Sequence, residues 1–347
     1  MRVITVNASK SYDILVGSGL INIIGGIMSQ TFSPCRVAVI TDDIVDEIYG
    51  ESVICSLEES GYDARKFVFK NGEKSKNINT YIDIQNFLAK NELTRKDVVL
   101  ALGGGVVGDI AGFSASTYLR GINYVQVPTT ILAQIDSSVG GKTAIDLDCG
   151  KNLVGAFHQP SLVVCDIEAL STLTDEVVED GLGEGVKYAL LDKKVFALIL
   201  NKNFDLETFV SLCIEYKKQI VEEDEFEGEK RKLLNLGHTI GHAIEKLSNY
   251  QISHGKAVAM GIDYILSASV KQGKISNEEY EKIKEILSRL TKNVDKSLCP
   301  FGIKEIIDCA IFDKKRHGDS ISLVVYNGLG NCEIENIKLD DLLGYFQ

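Results

Sequence analysis

Two histidines, His238 and His242, have the spacing by which one helix presents two imidazoles to a metal ion. They are four residues apart in Leu233–Glu245, which we predict to be helical, so both rings should lie on one face. The spacing resembles that of zinc proteases, but Thr239 stands where those enzymes carry a catalytic glutamate. A peptidase is therefore disfavoured, whereas a metal site is not.

Histidine is rare in this chain, so the grouping of three histidines is informative. Only five histidines occur in 347 residues, and His238, His242 and His254 fall within seventeen positions. Such clustering favours a metal or catalytic site over unrelated core side chains. A carboxylate should complete the site. Glu184 is the main candidate, because its glycine neighbours let another backbone approach closely, and Glu245 is a local alternative.

A glycine cluster follows a buried run in the N-terminal half. Gly103, Gly105 and Gly108 have GxGxxG spacing between a strand pattern and a helix pattern, where backbone N–H groups can bind a pyrophosphate. Glycines that only permit a tight turn remain an alternative. Because the next strand lacks a terminal acidic residue, Asp42 after the strand Arg36–Thr41 is the better ribose ligand. A nucleotide-binding fold with a non-standard strand order is implied.

The elements that must position these residues follow two patterns. In the first half, β-branched runs alternate with helical patterns, which is typical of a largely parallel α/β sheet. The predicted strands are Arg2–Val6, Tyr12–Val16, Arg36–Thr41, Ala64–Phe69, Asp97–Leu102, Tyr124–Pro128 and Leu162–Asp166. Helices are predicted at Ile44–Ser60, at Asn77–Asn91 and from near Val106.

After Asp166 the apolar residues recur mainly at helical spacing. The predicted helices are Leu206–Ile220, Lys232–Leu247, Lys256–Gln272 and Asn277–Leu290. Two late strands are predicted at Ser320–Tyr326 and Asn331–Ile337. We therefore predict an α/β protein with a nucleotide-binding α/β domain at 1–172 and a mainly helical domain at 173–347 that binds metal and substrate. The active site is expected in the cleft between them.

Composition limits the partners. The net charge of -12 disfavours nucleic acid or an anionic membrane as the main partner, so an anionic substrate needs a local cluster of Lys and Arg. The eight cysteines form no CxxC pair, and neither a signal peptide nor a membrane-spanning run is evident. We expect a cytoplasmic protein.

Several motifs in consistent order resemble those of the 3-dehydroquinate synthase family of the shikimate pathway, which makes precursors of the aromatic amino acids. The motifs are Gly72–Lys76, Gly103–Phe113, Gln134–Thr143, Gly150–Pro160, Leu234–Glu245 and Ser253–Lys256. The resemblance implies a lyase that converts 3-deoxy-D-arabino-heptulosonate 7-phosphate to 3-dehydroquinate and phosphate. The steps are transient oxidation by NAD, phosphate elimination, reduction and intramolecular aldol closure.

The resemblance also implies site residues. The metal, zinc or else cobalt or another divalent ion, is held by Glu184, His238 and His254, while His242 faces the substrate. The implied substrate contacts are Asp136, Lys142, Asn152, Lys187, Lys217, Glu227, Arg231, Asn235, His242 and Lys314. Arg120 matches an arginine that the family lends across a homodimer interface. The implied NAD contacts are Asp42, Glu73, Lys76, Gly104, Gly105, Val106, Asp109, Thr129, Thr130, Lys151 and Thr172.

One segment departs from the family pattern. The family usually reads Gly-x-Ala-Glu-Val-Ile-Lys, whereas here Gly183 and Gly185 flank Glu184. We expect these glycines to loosen the helix, by up to about 1 kcal/mol each relative to alanine.

Three alternatives stay open. A related sugar phosphate cyclase, such as 2-deoxy-scyllo-inosose synthase, shares the metal and NAD motifs. A zinc polyol dehydrogenase of the glycerol dehydrogenase type would instead accumulate NADH. A nucleotide-binding regulatory protein would have kept the fold and lost the chemistry, which the intact metal ligands disfavour.

Overall fold

The computed structural model describes residues 1–201, 203–292, 294–314 and 319–347. For residues 312–314 it describes the backbone only. The chain divides into two compact units. The first comprises Met1–Leu173 and Lys217–Glu222, and the second comprises Thr174–Tyr216 and Glu223–Gln347. That the first binds NAD, that the second binds metal and substrate, and that the active site lies in a cleft between them stay predictions.

A seven-stranded sheet forms the centre of the first unit, in the order β1-β2-β9-β6-β5-β3-β4. Its strands are β1 (Arg2–Asn7), β2 (Ser11–Gly17), β3 (Arg36–Asp42), β4 (Asp63–Phe69), β5 (Val98–Gly103), β6 (Asn123–Pro128) and β9 (Leu162–Asp166). The β1–β2 pair is antiparallel and the other pairs are parallel. The seven predicted strands are confirmed, each to within one residue at either end.

Both faces of this sheet are buried, as expected for parallel strands covered by helices. Val37 and Val39 of β3 point into one apolar cluster, whereas Ala38 and Ile40 point into the other. The helices of this unit are α1 (Ile24–Met28), α2 (Asp43–Val45), α3 (Glu51–Glu59), α4 (Ile78–Lys90) and α5 (Gly105–Thr117). A π-helical turn, Asp46–Gly50, joins α2 to α3, so the predicted helix Ile44–Ser60 is confirmed with a local widening.

A second, two-stranded sheet in this unit was not predicted. It is the antiparallel hairpin of β7 (Lys142–Leu147) and β8 (Gly150–Phe157), with an irregularity between Ile145 and Leu147. Its glycines and exposed polar positions resemble a loop in the sequence. The hairpin presents Lys142 and Asn152, both predicted site residues.

The second unit is mainly helical, as predicted. Its helices are α6 (Asp175–Leu191), α7 (Lys193–Ile199), α8 (Leu206–Glu223), α9 (His238–Leu247), α10 (His254–Lys271), α11 (Asn277–Thr291), α12 (Ile303–Lys314) and α13 (Leu342–Phe346), with Lys217–Glu222 of α8 grouped with the first unit. The two predicted late strands are present as β10 (Ser320–Tyr326) and β11 (Cys332–Lys338), which pair in antiparallel fashion. Among the described helices, none is long and apolar enough to cross a membrane.

The prediction of one helix over Lys232–Leu247 was wrong. A 3-10 helix spans Lys230–Asn235, and α9 begins only at His238. Gly237 separates them in a left-handed conformation, with φ of 80°, where a Cβ would lie 2.9 Å from the carbonyl oxygen of Val258. Glycine therefore permits both the break and the close approach of α10.

Candidate functional site

In the first unit, the carboxyl ends of β3 and β5 form the topological switch point of the parallel sheet. These strands are neighbours, whereas β4 lies beyond β3 and β6 lies beyond β5, so the chain leaves the two strands in opposite directions. Ligands of open α/β sheets bind in the crevice that this arrangement creates. Asp42 ends β3 and Gly103 ends β5. The segment at Asp42 and the glycine cluster that begins at Gly103 therefore both lie at this switch point.

The glycines after β5 divide into two roles. A Cβ on Gly103 would lie 2.5 Å from Val107 Cγ2, and one on Gly108 would lie 2.7 Å from Gln126 Oε1, so these two permit close packing. Gly104 is the N-cap of α5, and among the described residues no side chain caps it and its first turn carries no acid. The first N–H groups of α5, including those of Gly105 and Val106, can therefore bind an anion.

Asp42 is held in place by the backbone that follows it. Its Oδ1 accepts hydrogen bonds from the N–H groups of Ile44 and Val45 at 3.1 and 3.0 Å, which caps α2. Burial raises the pKa of Asp42, and these two hydrogen bonds oppose the rise. The carboxylate is thus fixed at the end of β3, which suits a ribose ligand.

Lys76 connects two sets of predicted residues. Its Nζ donates to Asp109 Oδ2 on α5 and to Asn152 Oδ1 on β8, each at 2.5 Å, and its side chain is 5% exposed. Burial lowers the pKa of Lys76, but the charges of Asp109 and Glu73 outweigh it and raise the pKa. Lys151 and Glu73 form a looser ion pair at 3.6 Å. Four predicted NAD residues and one predicted substrate residue therefore share a charged network.

The remaining predicted residues of the first unit are more dispersed. Lys217 is buried and contacts Asp136, with Nζ 3.0 Å from Oδ1. The N–H of Thr129 donates to Gly103 O at 3.0 Å, so Thr129 lies beside the glycine turn. The hydroxyl groups of Thr172 and Tyr49 are hydrogen-bonded at 2.9 Å.

Three further predicted residues sit at turns and edges. Thr130 Oγ1 accepts from the N–H of Ala133 at 3.2 Å, and a Cβ on Gly104 would lie 3.2 Å from its methyl group. Lys142 is exposed at the start of β7. Arg120 is exposed in a left-handed conformation with φ of 68°.

In the second unit, three helices bring the predicted metal ligands together. Glu184 lies on α6, His238 begins α9 and His254 begins α10, and one donor atom of each lies within 4.8 Å of the others. His238 Nε2 is 3.6 Å from Glu184 Oε1, and His254 Nε2 is 3.7 Å from Glu184 Oε2. Tetrahedral coordination with bonds of about 2.0–2.1 Å separates ligand atoms by about 3.4 Å. The spacing of the two contacts therefore fits a divalent metal after small adjustments.

The second nitrogen of each histidine is held by an outer partner. His238 Nδ1 lies 3.2 Å from Leu236 O, and His254 Nδ1 lies 3.1 Å from Glu245 Oε2. This arrangement leaves both Nε2 atoms facing Glu184, as metal-binding histidines require. Glu245, the local alternative for the third ligand, thus approaches His254 from the side away from Glu184.

His242 belongs to the same cluster without joining that ligand set. Its ring centroid lies 5.4 Å from that of His238 and 5.8 Å from that of His254, and its surface is exposed. Partial desolvation of the imidazole lowers its pKa, and the two neighbouring imidazoles add to the effect. His242, Glu245 and His254 could also hold an ion. The set with Glu184 is the better fit because its carboxylate is buried and faces two Nε2 atoms.

A polar turn in the second unit organises three more predicted residues. Asp224 accepts from the N–H groups of Gly228, Glu229 and Arg231, which fixes the start of the 3-10 helix. Asn235 Nδ2 donates to Glu227 Oε1 at 3.2 Å. Arg231 is buried, and its guanidinium bonds to the carbonyl of Glu225.

Lys187 is another buried cation of this unit. It lies one turn after Glu184 on α6, and its Nζ contacts Glu184 Oε1. Lys314 ends α12, but its side chain lies outside the described residues.

The helix that carries Glu184 is continuous from Asp175 to Leu191, and the expectation that its two glycines loosen it stays a prediction. Gly183 also allows contact with α10, since a Cβ there would lie 2.5 Å from Gly255 O. Sequence reasoning also missed Asp180, whose carboxylate accepts from the N–H of Gly255. The glycines beside the two ligands were the only signal of this helix contact.

Known proteins resemble this chain in sequence and in fold. Family models described as the N-terminal and C-terminal parts of 3-dehydroquinate synthase match residues 66–180 and 181–316. A 3-dehydroquinate synthase of Clostridium acetobutylicum is 42% identical over 97% of this chain and 97% of its own length. A structure of 2-deoxy-scyllo-inosose synthase with carbaglucose-6-phosphate, NAD+ and Co2+ has 24% identity and a TM-score of 0.85, and covers 99% of both chains. The 2-epi-5-epi-valiolone synthase of Streptomyces hygroscopicus, with NAD+ and Zn2+ bound, has 24% identity and a TM-score of 0.86, and covers 99% of this chain and 98% of its own.

Proposed function

The chain belongs to the 3-dehydroquinate synthase family, and from this premise we propose that it converts 3-deoxy-D-arabino-heptulosonate 7-phosphate to 3-dehydroquinate and phosphate. The observation that carries the proposal is the convergence of Glu184, His238 and His254 in a chain that matches the family over nearly its whole length. Alternative enzymes differ in substrate and in net redox change, which experiment can separate.

Glu184, His238 and His254 are the proposed ligands of a divalent metal, with zinc as the first choice. The Co2+ and Zn2+ named for the two related structures support a divalent ion at this position. A bound divalent metal would act as a Lewis acid on the hydroxyl that is oxidised and on carbonyl oxygens. The role of the protein is to hold the two Nε2 atoms and the carboxylate at coordinating distance.

NAD is the proposed redox cofactor, and it supplies a hydride acceptor that is regenerated within one turnover. The N–H groups at Gly104, Gly105 and Val106 suit its pyrophosphate, and Asp42 at the switch point suits a ribose. The other proposed contacts are Glu73, Lys76, Asp109, Thr129, Thr130, Lys151 and Thr172. The NAD+ named for both related structures supports this assignment.

The substrate is an anionic sugar phosphate, so a negatively charged protein must bind it through local cations. We assign Lys142, Asn152, His242 and Lys314 to the phosphate. Arg231 and Lys217 are assigned to the carboxylate and adjacent hydroxyls, because a guanidinium matches carboxylate geometry. The remaining proposed contacts are Asp136, Lys187, Glu227 and Asn235.

The lowered pKa of His242 keeps its imidazole neutral near neutral pH, so one ring nitrogen can accept a hydrogen bond while the other donates one. The cations orient the phosphate, which can itself take the proton removed during its elimination. Much of the rate enhancement would then come from positioning rather than from a dedicated protein base.

Two assembly properties complete the proposal. Arg120, exposed in a left-handed turn, is proposed to reach the substrate of a second copy in a homodimer. The protein is proposed to work in the cytoplasm.

The test compares three reactions of the purified chain, each with NAD and Zn2+. These are phosphate release from 3-deoxy-D-arabino-heptulosonate 7-phosphate, phosphate release from glucose 6-phosphate, and NADH formation from glycerol. The proposal expects phosphate release from the first substrate only, without lasting NADH absorbance. Turnover of glucose 6-phosphate alone would identify another cyclase, and net NADH from glycerol would identify a polyol dehydrogenase.

A further inference from the structure

Two carboxylates from neighbouring helices hold His254 at the start of α10. Asp180 on α6 accepts a hydrogen bond of 2.7 Å from the N–H of Gly255, the residue after His254. Glu245 on α9 contacts His254 Nδ1 through Oε2 at 3.1 Å. One carboxylate therefore fixes the backbone at His254, and the other fixes its ring.

Asp180 takes the place of a local cap. The N-cap residue of α10 is Ser253, and its side chain makes no capping bond to the described residues. The first N–H groups of a helix lack partners within it, and a carboxylate there is favoured by the positive end of the helix. Asp180 lies one turn before Glu184. The helix that carries one metal ligand thus also caps the helix that begins with another.

Two glycines bring α6 and α10 into backbone contact at this point. A Cβ on Gly255 would lie 1.7 Å from Asp180 O, and one on Gly183 would lie 2.5 Å from Gly255 O. These distances leave no room for a side chain at either position. The cap therefore holds His254 at a separation from Glu184 that the two backbones define.

Glu245 controls the ring rather than the backbone. It is 5% exposed, so its carboxylate requires a hydrogen-bond partner, which His254 Nδ1 supplies. With the proton on Nδ1, the lone pair of Nε2 faces Glu184 Oε2 at 3.7 Å. A carboxylate on the far nitrogen of a metal-binding histidine fixes the ring and makes it a better donor to the metal.

We propose that Asp180 and Glu245 are positioning residues that set the metal affinity of this site through His254. The inference rests on the proposed metal-binding role of Glu184, His238 and His254, and adds the two groups that preorganise the third ligand. Loss of an outer partner of this kind typically lowers metal affinity about 10–100-fold.

The test measures Zn2+ affinity of the full chain without NAD or substrate. Metal is removed with a chelator and returned in competition with a chromogenic chelator. We expect E245A to weaken Zn2+ binding about 10–100-fold. D180A should weaken it by more than about threefold, because the cap that fixes the backbone at His254 is lost. D180N should retain near-native affinity, because asparagine caps a helix about as well as aspartate. The matched control is E278Q, which replaces an exposed glutamate on α11 and should leave the Zn2+ affinity unchanged.

A second readout separates positioning from general destabilisation. With Co2+ in place of Zn2+, E245A should change the visible absorption spectrum, because the ligand geometry changes, whereas E278Q should not. If E245A does not fold without metal, E245Q replaces it in the affinity measurement, because glutamine keeps the shape of the side chain. Reduced Zn2+ affinity of E245Q supports the proposal, and native affinity overturns it.

Affinities of E245A and D180A within threefold of the unsubstituted chain would overturn the inference, and equal losses in D180N and D180A would overturn the capping role. Phosphate release by the unsubstituted chain is measured separately. Phosphate release with unchanged metal affinity in the variants refutes the positioning role alone. Altered metal affinity without phosphate release by the unsubstituted chain refutes the proposed reaction alone.

Discussion

Breaking the ion pair between Lys76 and Asp109 by removal of the lysine should strongly destabilise the first unit. Lys76 Nζ bonds to both Asp109 and Asn152 at 2.5 Å, and the Lys76 and Asp109 side chains are 5% and 20% exposed. Removing one partner of a buried pair costs about 3–5 kcal/mol, because the other charge stays buried. Since Asp109 retains some exposure, we expect the lower limit, about 3 kcal/mol, for Lys76→Met.

The double variant should recover part of this loss. Asp109→Asn leaves a neutral acceptor for Lys76, so its cost should be smaller, about 1–2 kcal/mol. With both groups replaced, no buried charge remains unpaired, and the combined cost should fall at least about 1 kcal/mol below the sum. Urea unfolding of the four proteins, followed by circular dichroism, gives the coupling free energy. A cost below about 1 kcal/mol for Lys76→Met, or strict additivity, would refute this reasoning.

Two further perturbations have defined outcomes. Gly183→Ala should lower the free energy of unfolding by about 1 kcal/mol, because overpacking against Gly255 costs about 1–3 kcal/mol and the gain in helix propensity is only about 1 kcal/mol. Gly344→Ala should not destabilise the chain in the same urea titration, because a Cβ there meets no described atom within 4 Å apart from its chain neighbours and its own helix. Burial and the charge of Lys10 lower the pKa of His158 below 6.5, so its contribution to stability is present above pH 6.5 and is lost as pH falls through the folded pKa. His158→Gln should therefore reduce the fall in stability between pH 7 and 5.5, and parallel stability curves for the two proteins would contradict this.

Strand patterns in the sequence are sufficient to predict the main sheet. Its strands are buried runs, such as Val98–Gly103, that only a covered parallel sheet accommodates, and their ends carry Asp42 and Gly103. The strand order brings these two residues to neighbouring strand ends. No local sequence pattern predicts that strand order. The lack of an acidic residue at the end of Tyr124–Pro128 indicated only that the order departs from that of the standard dinucleotide-binding fold.

The residues of the metal cluster were predictable from the sequence, but the backbone contacts that position them were not. The scarcity of histidine pointed to His238, His242 and His254, and the glycine neighbours pointed to Glu184. The family resemblance then selected His238 and His254 as the histidine ligands. The break at Gly237 was missed because apolar spacing continues through it, and only the approach of α10 requires the left-handed turn. Asp180 was missed for a similar reason, since its capping bond joins residues 75 positions apart.

The most direct test of the account measures product per NAD and its dependence on metal. With NAD far below substrate in concentration, the metal-loaded chain should release many phosphates from 3-deoxy-D-arabino-heptulosonate 7-phosphate for each NAD present. Chelation should stop the release, and Zn2+ or Co2+ should restore it in the unsubstituted chain but not in His238→Ala. Phosphate release that stops at one per NAD, or that continues undiminished in folded His238→Ala without metal, would contradict the account.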